Sequence, residues 1–194
     1  MMTAVVPAAG MSVRMGRNKL LMHFHGKSLV EHAVDTLIAS EIDEIIVVLG
    51  HESEAVRNRL EGRPVRFVEN PDYREGLATS VRAGIKIVSP DTDGIMIYLA
   101  DQPLLEPAEI NLLVHAFARA KDAAKRIVVP FFGGQRGNPV ILDQSFREMV
   151  SDITGDVGCR RIIKTHPDQV FAIRMETDHV VRDIDTPEDF GSIT

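Results

Sequence analysis

Short apolar runs alternating with helix-length amphipathic segments constrain this chain more than any other feature. Ala4–Val6, Glu44–Leu49, Val65–Glu69, Gly94–Leu99 and Arg126–Pro130 are brief and β-branched or apolar, which suits strands buried on both faces of a parallel sheet. Between the first two, Ser28 and Glu31 have capping-box spacing, and Leu29, Val30, Ala33, Val34, Leu37 and Ile38 recur with a helical period. The spacing predicts a helix over Ser28–Ser40 and further helices over Glu52–Leu60, Leu77–Ile87 and Pro107–Ala124, the last opening on a proline suited to a first turn. Such alternation is the signature of an α/β fold with a mostly parallel sheet. After Pro130 the rhythm changes. Phe131–Asn138 reads as a glycine-rich loop, Val140–Leu142 and Gln169–Met175 read as strands, and Thr186-Pro187 starts a C-terminal helix. The expected sheet is therefore mixed, with a late insertion.

A chain of 194 residues is long enough for one core and short for two, so a single domain over 1–194 is expected. Its 22 Lys and Arg against 28 Asp and Glu leave a net charge of −6, which argues against a surface built to bind nucleic acid. An anionic substrate must then be held by a few local cations, backbone amides or a metal ion. The single cysteine, Cys159, can form neither an internal disulfide nor a thiolate metal cage, so a reducing, cytoplasmic setting is expected. Apolar runs such as Ile95–Ala100 fall far short of the roughly 20 residues that span a bilayer.

The first strand runs into Pro7-Ala8-Ala9-Gly10-Met11-Ser12-Val13-Arg14-Met15-Gly16-Arg17-Asn18-Lys19, where small residues let backbone amides approach a phosphate. The third glycine and the acid closing the second strand, both needed for a dinucleotide fingerprint, are missing. Five residues between Gly10 and Gly16, followed by Arg17, do not fit a P-loop either. What remains is a loop able to wrap a triphosphate, with Arg14 as a bidentate fork and Lys19 as a point charge, or else a surface turn with solvated cations. Asp101 follows the apolar run 94–99, at a strand exit where open α/β sheets place ligands. A carboxylate there can hold magnesium, or it can serve as a turn or cap residue.

The segment Ala8-Ala9-Gly10-x-Ser12-x-Arg14-Met15-Gly16-x-x-Lys19-Leu20-Leu21 resembles the nucleotide-binding signature of the molybdenum cofactor nucleotidyltransferases, in the cytidylyltransferase branch. Gly26-Lys27, Val47-Val48-Leu49-Gly50-His51, Asn70-Pro71, Glu75-Gly76-Leu77-x-x-Ser80, Ala100-Asp101-Gln102-Pro103, Gly137-Asn138-Pro139, Gly155-Asp156-x-Gly158 and Asp183-Ile184-Asp185-Thr186-Pro187 continue the match in order.

The resemblance implies a three-layer α/β/α Rossmann-like nucleotidyltransferase fold, with nucleotide binding over about 1–105 and acceptor binding over about 106–194. It implies transfer of CMP from CTP to the terminal phosphate of molybdopterin, with magnesium as cofactor, release of pyrophosphate and a transient molybdenum hydroxylase partner. Carried onto this chain, the catalytic residues are Arg14, Lys19 and Asp101. Nucleotide contacts fall on Ala8, Ala9, Gly10, Ser12, Arg14, Lys19, Gly76, Leu77, Ser80 and Asp101, and metal contacts on Asp101 and Asp185. For Asp185, the neighbouring Thr186, Pro187 and Asp189 leave open a second role in starting a helix. Ala9, where the guanosine branch tends toward glycine, favours CTP over GTP. A guanylyltransferase, a sugar- or polyol-phosphate nucleotidyltransferase and a non-catalytic cofactor chaperone are the alternatives.

Overall fold

The computed structural model describes residues 1–151 and 159–193. The Gly155-Asp156-x-Gly158 motif lies outside them. The strands are β1 (Met2–Ala8), β2 (His23–Phe24), β3 (Lys27–Ser28), β4 (Glu44–Leu49), β5 (Arg66–Glu69), β6 (Gly94–Ile97), β7 (Ile127–Phe132), β8 (Gln135–Arg136), β9 (Val140–Asp143) and β10 (Val170–Arg174). The α-helices are α1 (Leu29–Ile38), α2 (Ser53–Arg59), α3 (Leu77–Lys86), α4 (Pro107–Asp122), α5 (Arg147–Ser151), α6 (Arg160–Thr165) and α7 (Pro187–Ile193). β2 and β3 form a separate small hairpin, and the remaining strands make one sheet ordered β10-β7-β9-β6-β1-β4-β5, with β8 paired to β7. β6, β1, β4 and β5 run parallel, as do β10 and β7, whereas β9 is antiparallel to both β6 and β7. The sheet is thus mostly parallel and mixed, as the sequence suggests.

Alternate residues of each buried strand feed two cores. Ala4, Val6 and Ala8 of β1 pack with Val34, Leu37, Val56, Ile110 and Leu113 from α1, α2 and α4. Val5, between them, faces Val81, Ile85, Val150 and Ile162 from α3, α5 and α6. This period-two division produces three layers. The helix layer lies very close at one point: a Cβ added at Gly84 of α3 would sit 2.3 Å from Val5 Cγ1 and 3.0 Å from Val48 Cγ2. At the start of α1 the Ser28–Glu31 capping box forms as expected, with Glu31 accepting from Ser28 N at 2.9 Å and Ser28 Oγ at 2.6 Å.

Two expectations change. The stretch 131–138 is not wholly a loop, because β7 continues to Phe132 and turns through Gly133 (φ 58°) and Gly134 (φ 84°) into β8. Two consecutive positive-φ glycines make a tight hairpin turn, so the glycine content marks a turn within paired strand. The strand expected over 94–99 ends at Ile97, although Tyr98 N still donates to Val5 O at 3.0 Å, so Asp101 stands on the turn beyond the strand. No helix among the described residues is long and apolar enough to cross a membrane.

The chain leaves β1 for β4 and β5 on one side, then returns to β6 on the other. Strand order therefore reverses at β1, and the carboxyl ends of β1 and β6 diverge to leave a crevice between their exit loops.

Candidate active site

Beyond β1 the backbone rises through Ala9 and Gly10, takes a left-handed turn at Ser12 (φ 51°) and closes a 3₁₀ turn over Val13–Met15 at Gly16 (φ 65°). Ser12 Oγ accepts from Lys19 N at 3.1 Å, and Asn18 Oδ1 accepts from Leu20 N at 3.1 Å. These two bonds fold the loop back on itself. Met15 and Leu20 are buried under it, and the Arg14 side chain stands in solvent at 69% exposure. Two polar side chains close the loop, while the mostly exposed Arg14 stays outside it.

Lys19 is the centre of the arrangement. Its Nζ donates to Asp101 Oδ2 at 2.6 Å, to Asp185 Oδ1 at 2.8 Å and to the Ile184 carbonyl at 2.8 Å. Burial alone pushes the ammonium toward deprotonation, but the two carboxylates outweigh it and hold the Lys19 pKa above its ordinary value. Asp185 Oδ2 accepts in turn from Arg14 at 2.8 Å. Burial raises the Asp185 carboxyl, and the hydrogen bond and charge of Lys19, with Arg14, overcome this and leave its pKa lowered. For Asp183, two residues earlier, burial and then the charges of Asp101 and Asp185 outweigh the pull of Lys19 and raise its pKa.

The helix-start alternative for Asp185 resolves in favour of its neighbours. Asp189 Oδ2 accepts from the Asp185 and Thr186 amides at 3.0 and 2.8 Å, while Asp189 N donates to Thr186 Oγ1 at 3.2 Å. Thr186 and Asp189 thus cap α7, leaving the Asp185 carboxylate turned toward cations. The two acidic segments are tied together by Ile184 N donating to Asp101 O at 3.0 Å.

Asp101 Oδ1 is buried and has no hydrogen-bond partner among the described residues. An acceptor oxygen without a donor at the edge of a cleft is what a bound cation would satisfy. Among the described residues no group of three or more His, Cys, Asp or Glu side chains is arranged to hold a metal. Two carboxylates are nevertheless the protein complement that magnesium commonly takes when substrate phosphates and water supply its other oxygens.

The crevice, about 430 Å³, is lined by Ala9, Gly10, Ser12, Arg14, Lys19, Gly76, Leu77, Ser80, Asp101 and Asp185. Ala8 stands apart: it ends β1, and its side chain packs into the core. Gly76, at φ 107°, leads into α3, and the turn before it is held by Asn70, whose Nδ2 donates to Thr79 Oγ1 at 2.9 Å and Ser80 Oγ at 3.0 Å. Tyr73 and Arg74 also line the crevice, and sequence reasoning misses them. Tyr73 sits there because Gly50 has no side chain: a Cβ at Gly50 would lie 2.7 Å from Tyr73 Cβ and 2.6 Å from Ala9 Cβ. The only sequence signal for the pair is their position between Asn70-Pro71 and Glu75-Gly76.

A family model described as a MobA-like NTP transferase domain matches residues 4–170. Nicotine blue oxidoreductase of Paenarthrobacter nicotinovorans is 32% identical over 190 residues, covering 96% of this chain and 93% of that protein. Molybdenum cofactor cytidylyltransferase of Escherichia coli is 24% identical over 187 residues, covering 96% and 92%. Among solved structures, Rv0371c of Mycobacterium tuberculosis superposes with a TM-score of 0.86 at 25% identity, over 99% of this chain and 96% of that one. A complex of the same protein with manganese superposes with a TM-score of 0.80.

Proposed function

Since the chain belongs to the MobA-like NTP transferase family, and so to the nucleotidyltransferases, we propose that it transfers CMP from CTP to the terminal phosphate of molybdopterin and releases pyrophosphate. One observation carries this reading: Lys19, Asp101 and Asp185 converge at a crevice where Asp101 Oδ1 lacks a partner among the described residues.

In the proposed reaction an acceptor phosphate oxygen bonds to the α-phosphorus of the triphosphate, and the bond from that phosphorus to the β-bridging oxygen breaks. A phosphate monoester, with a second pKa near ~6, is largely ionised at neutral pH, so no strong general base is needed. The glycine loop offers its amides to the triphosphate, and the exposed Arg14 leaves Asp185 and folds onto the leaving pyrophosphate. Lys19 gives up at least one carboxylate as substrate enters and turns its ammonium to a phosphate oxygen. Asp101 and Asp185 would hold magnesium, which supplies charge neutralisation at phosphate oxygens when bound. Positioning and electrostatics then account for most of the rate.

CTP is favoured by Ala9, a crevice-lining residue at the place where the guanosine branch tends toward glycine. The likeness to the Escherichia coli cytidylyltransferase supports the same base and acceptor. The test is to mix the protein with CTP, magnesium and molybdopterin and follow pyrophosphate. Stoichiometric release with formation of a cytidine dinucleotide is expected. Molybdopterin binding without release would leave a chaperone, and a faster reaction with GTP would reassign the base. The likeness to an oxidoreductase over nearly the whole chain calls for one more arm, in which a redox reaction without pyrophosphate release would replace the transferase reading.

A further inference from the structure

Several cations on this surface have anions. Arg63 is paired with Asp35 and Glu31, Arg57 with Glu69, Arg66 with Glu44 and Lys121 with Asp93. Arg136 of β8 and Arg160 of α6 are not among these pairs: among the described residues neither has a hydrogen-bonding or ion-pairing partner, the charge of Arg160 acts on Arg136, and, unlike most other unpaired cations, the two line the same two clefts. Arg136 is half-buried. Burial first, and then the charge of Arg160, lowers its pKa.

The backbone allows Arg136 no easy retreat. Gly137 N donates to Pro130 O and Asn138 N to Val180 O, both at 2.8 Å, and a Cβ at Gly137 would lie 2.5 Å from Val180 O. The residue after Arg136 is therefore clamped against the 179–181 turn, which fixes where the guanidinium projects.

It lines two clefts that share residues. A cleft of about 530 Å³ is lined by Arg136, Asn138, Arg160, Lys164 and Asp183. A smaller pocket of about 90 Å³ shares Arg136, Asn138 and Arg160 with it and is lined also by Leu77 and Leu99. Leu77 and Leu99 also line the nucleotide crevice. The unpaired arginines thus line a pocket that shares residues with both the open cleft and the place where the triphosphate is proposed to lie.

We propose that Arg136 and Arg160 form the acceptor's anion site, gripping a phosphate monoester dianion in this pocket, with the rest of the acceptor in the open cleft. A dianion relieves the repulsion of the pair, and two planar forks fit its oxygens in a fixed orientation. The proposal rests on the nucleotidyl-transfer reading for its consequence, since a phosphate held there is delivered toward the α-phosphorus, but the anion site can be tested without turnover.

Inorganic phosphate is titrated into the protein already saturated with CTP and magnesium, so that the glycine loop is filled, in wild type, R136Q/R160Q and the charge-retaining R136K/R160K. At least tenfold weaker phosphate binding is expected in the glutamine variant, with partial recovery in the lysine variant, which also serves as the folding control by thermal melting. In steady-state assays the KM for molybdopterin should rise at least tenfold in R136Q/R160Q while the KM for CTP changes less than twofold. Phosphate affinity and acceptor KM that both stay unchanged, or a CTP KM that rises in step with that of the acceptor, would overturn the site. If wild type fails to turn over molybdopterin yet phosphate binding is lost in the glutamine variant, the acceptor assignment falls and the anion site stands.

Discussion

Lys19 Nζ lies 2.6 Å from Asp101 Oδ2 and 2.8 Å from Asp185 Oδ1, so a single ammonium holds the ground between the two carboxylates proposed to carry magnesium. A divalent ion and that ammonium cannot share the position. The triphosphate offers the lysine a new anion, and so should admit the metal by drawing the lysine away.

Lys19→Met is therefore expected to bind manganese without nucleotide at least tenfold more tightly than wild type, read by the paramagnetic signal of the free ion. Its turnover should fall by about 10²–10³, the usual loss when one charge-stabilising donor is removed. Equal metal affinity in variant and wild type would mean that the ammonium does not compete.

Asp101→Asn should abolish turnover with magnesium while leaving the fold intact. Lys19 keeps Asp185 and the Ile184 carbonyl, so the melting temperature is expected to drop by only a few degrees, equivalent to about 1 kcal/mol. Activity retained near the wild-type level would remove Asp101 from the mechanism.

Ala9→Gly tests the base. Loss of the methyl of this crevice-lining residue should shift the CTP to GTP ratio of kcat/KM toward GTP by about tenfold, the scale of a single methyl or methylene in a pocket. An unchanged ratio would place discrimination elsewhere, with Tyr73 next in line.

Stability should fall in acid through a cluster remote from the crevice. Arg63 bonds Asp35 at 2.7 Å and Glu31 at 3.3 Å. Burial raises both carboxyls, but hydrogen bonds from Ser28 and Arg63 on Glu31, and from Arg63 and Lys27 on Asp35, leave both pKa values lowered. Groups depressed in the folded state stabilise it above their unfolded pKa values and cease to do so as protons bind, so the loss sets in below about pH 4.5. Denaturant melts of Asp35→Asn and Glu31→Gln should show a shallower decline between pH 5 and pH 3 than wild type. Parallel curves would count against the assignment.

Gly84→Ala should cost about 1–3 kcal/mol, an overpacking cost, because its methyl would meet Val5 Cγ1 at 2.3 Å. Denaturation midpoints give the measurement, and a neutral result would require α3 to move away from β1.

Much of the fold was legible because buried parallel strands and capped amphipathic helices each have a period that a sequence displays: Glu44–Leu49 is β4 residue for residue, and the Ser28–Glu31 box starts α1. The hairpin through Gly133 and Gly134 was hidden because glycine reports backbone freedom and not pairing. Around the crevice, spacing and family likeness pointed to Lys19, Asp101 and Asp185, but their mutual bonding joins residues 82 and 166 positions apart, which no local pattern encodes. Tyr73 was invisible for a related reason, since its place depends on what Gly50 lacks.

The antiparallel strand β9 lies between β6 and β7, hydrogen-bonded to both. The portion of chain that follows Pro107 is thereby woven into the middle of the same plank that carries the glycine loop, and cannot swing as a jaw without tearing a ladder of backbone bonds. Encounter geometry is then fixed when the polypeptide first folds, and adaptation to a different guest is left to loops along one rim, which can drift while the donor end stays as it is.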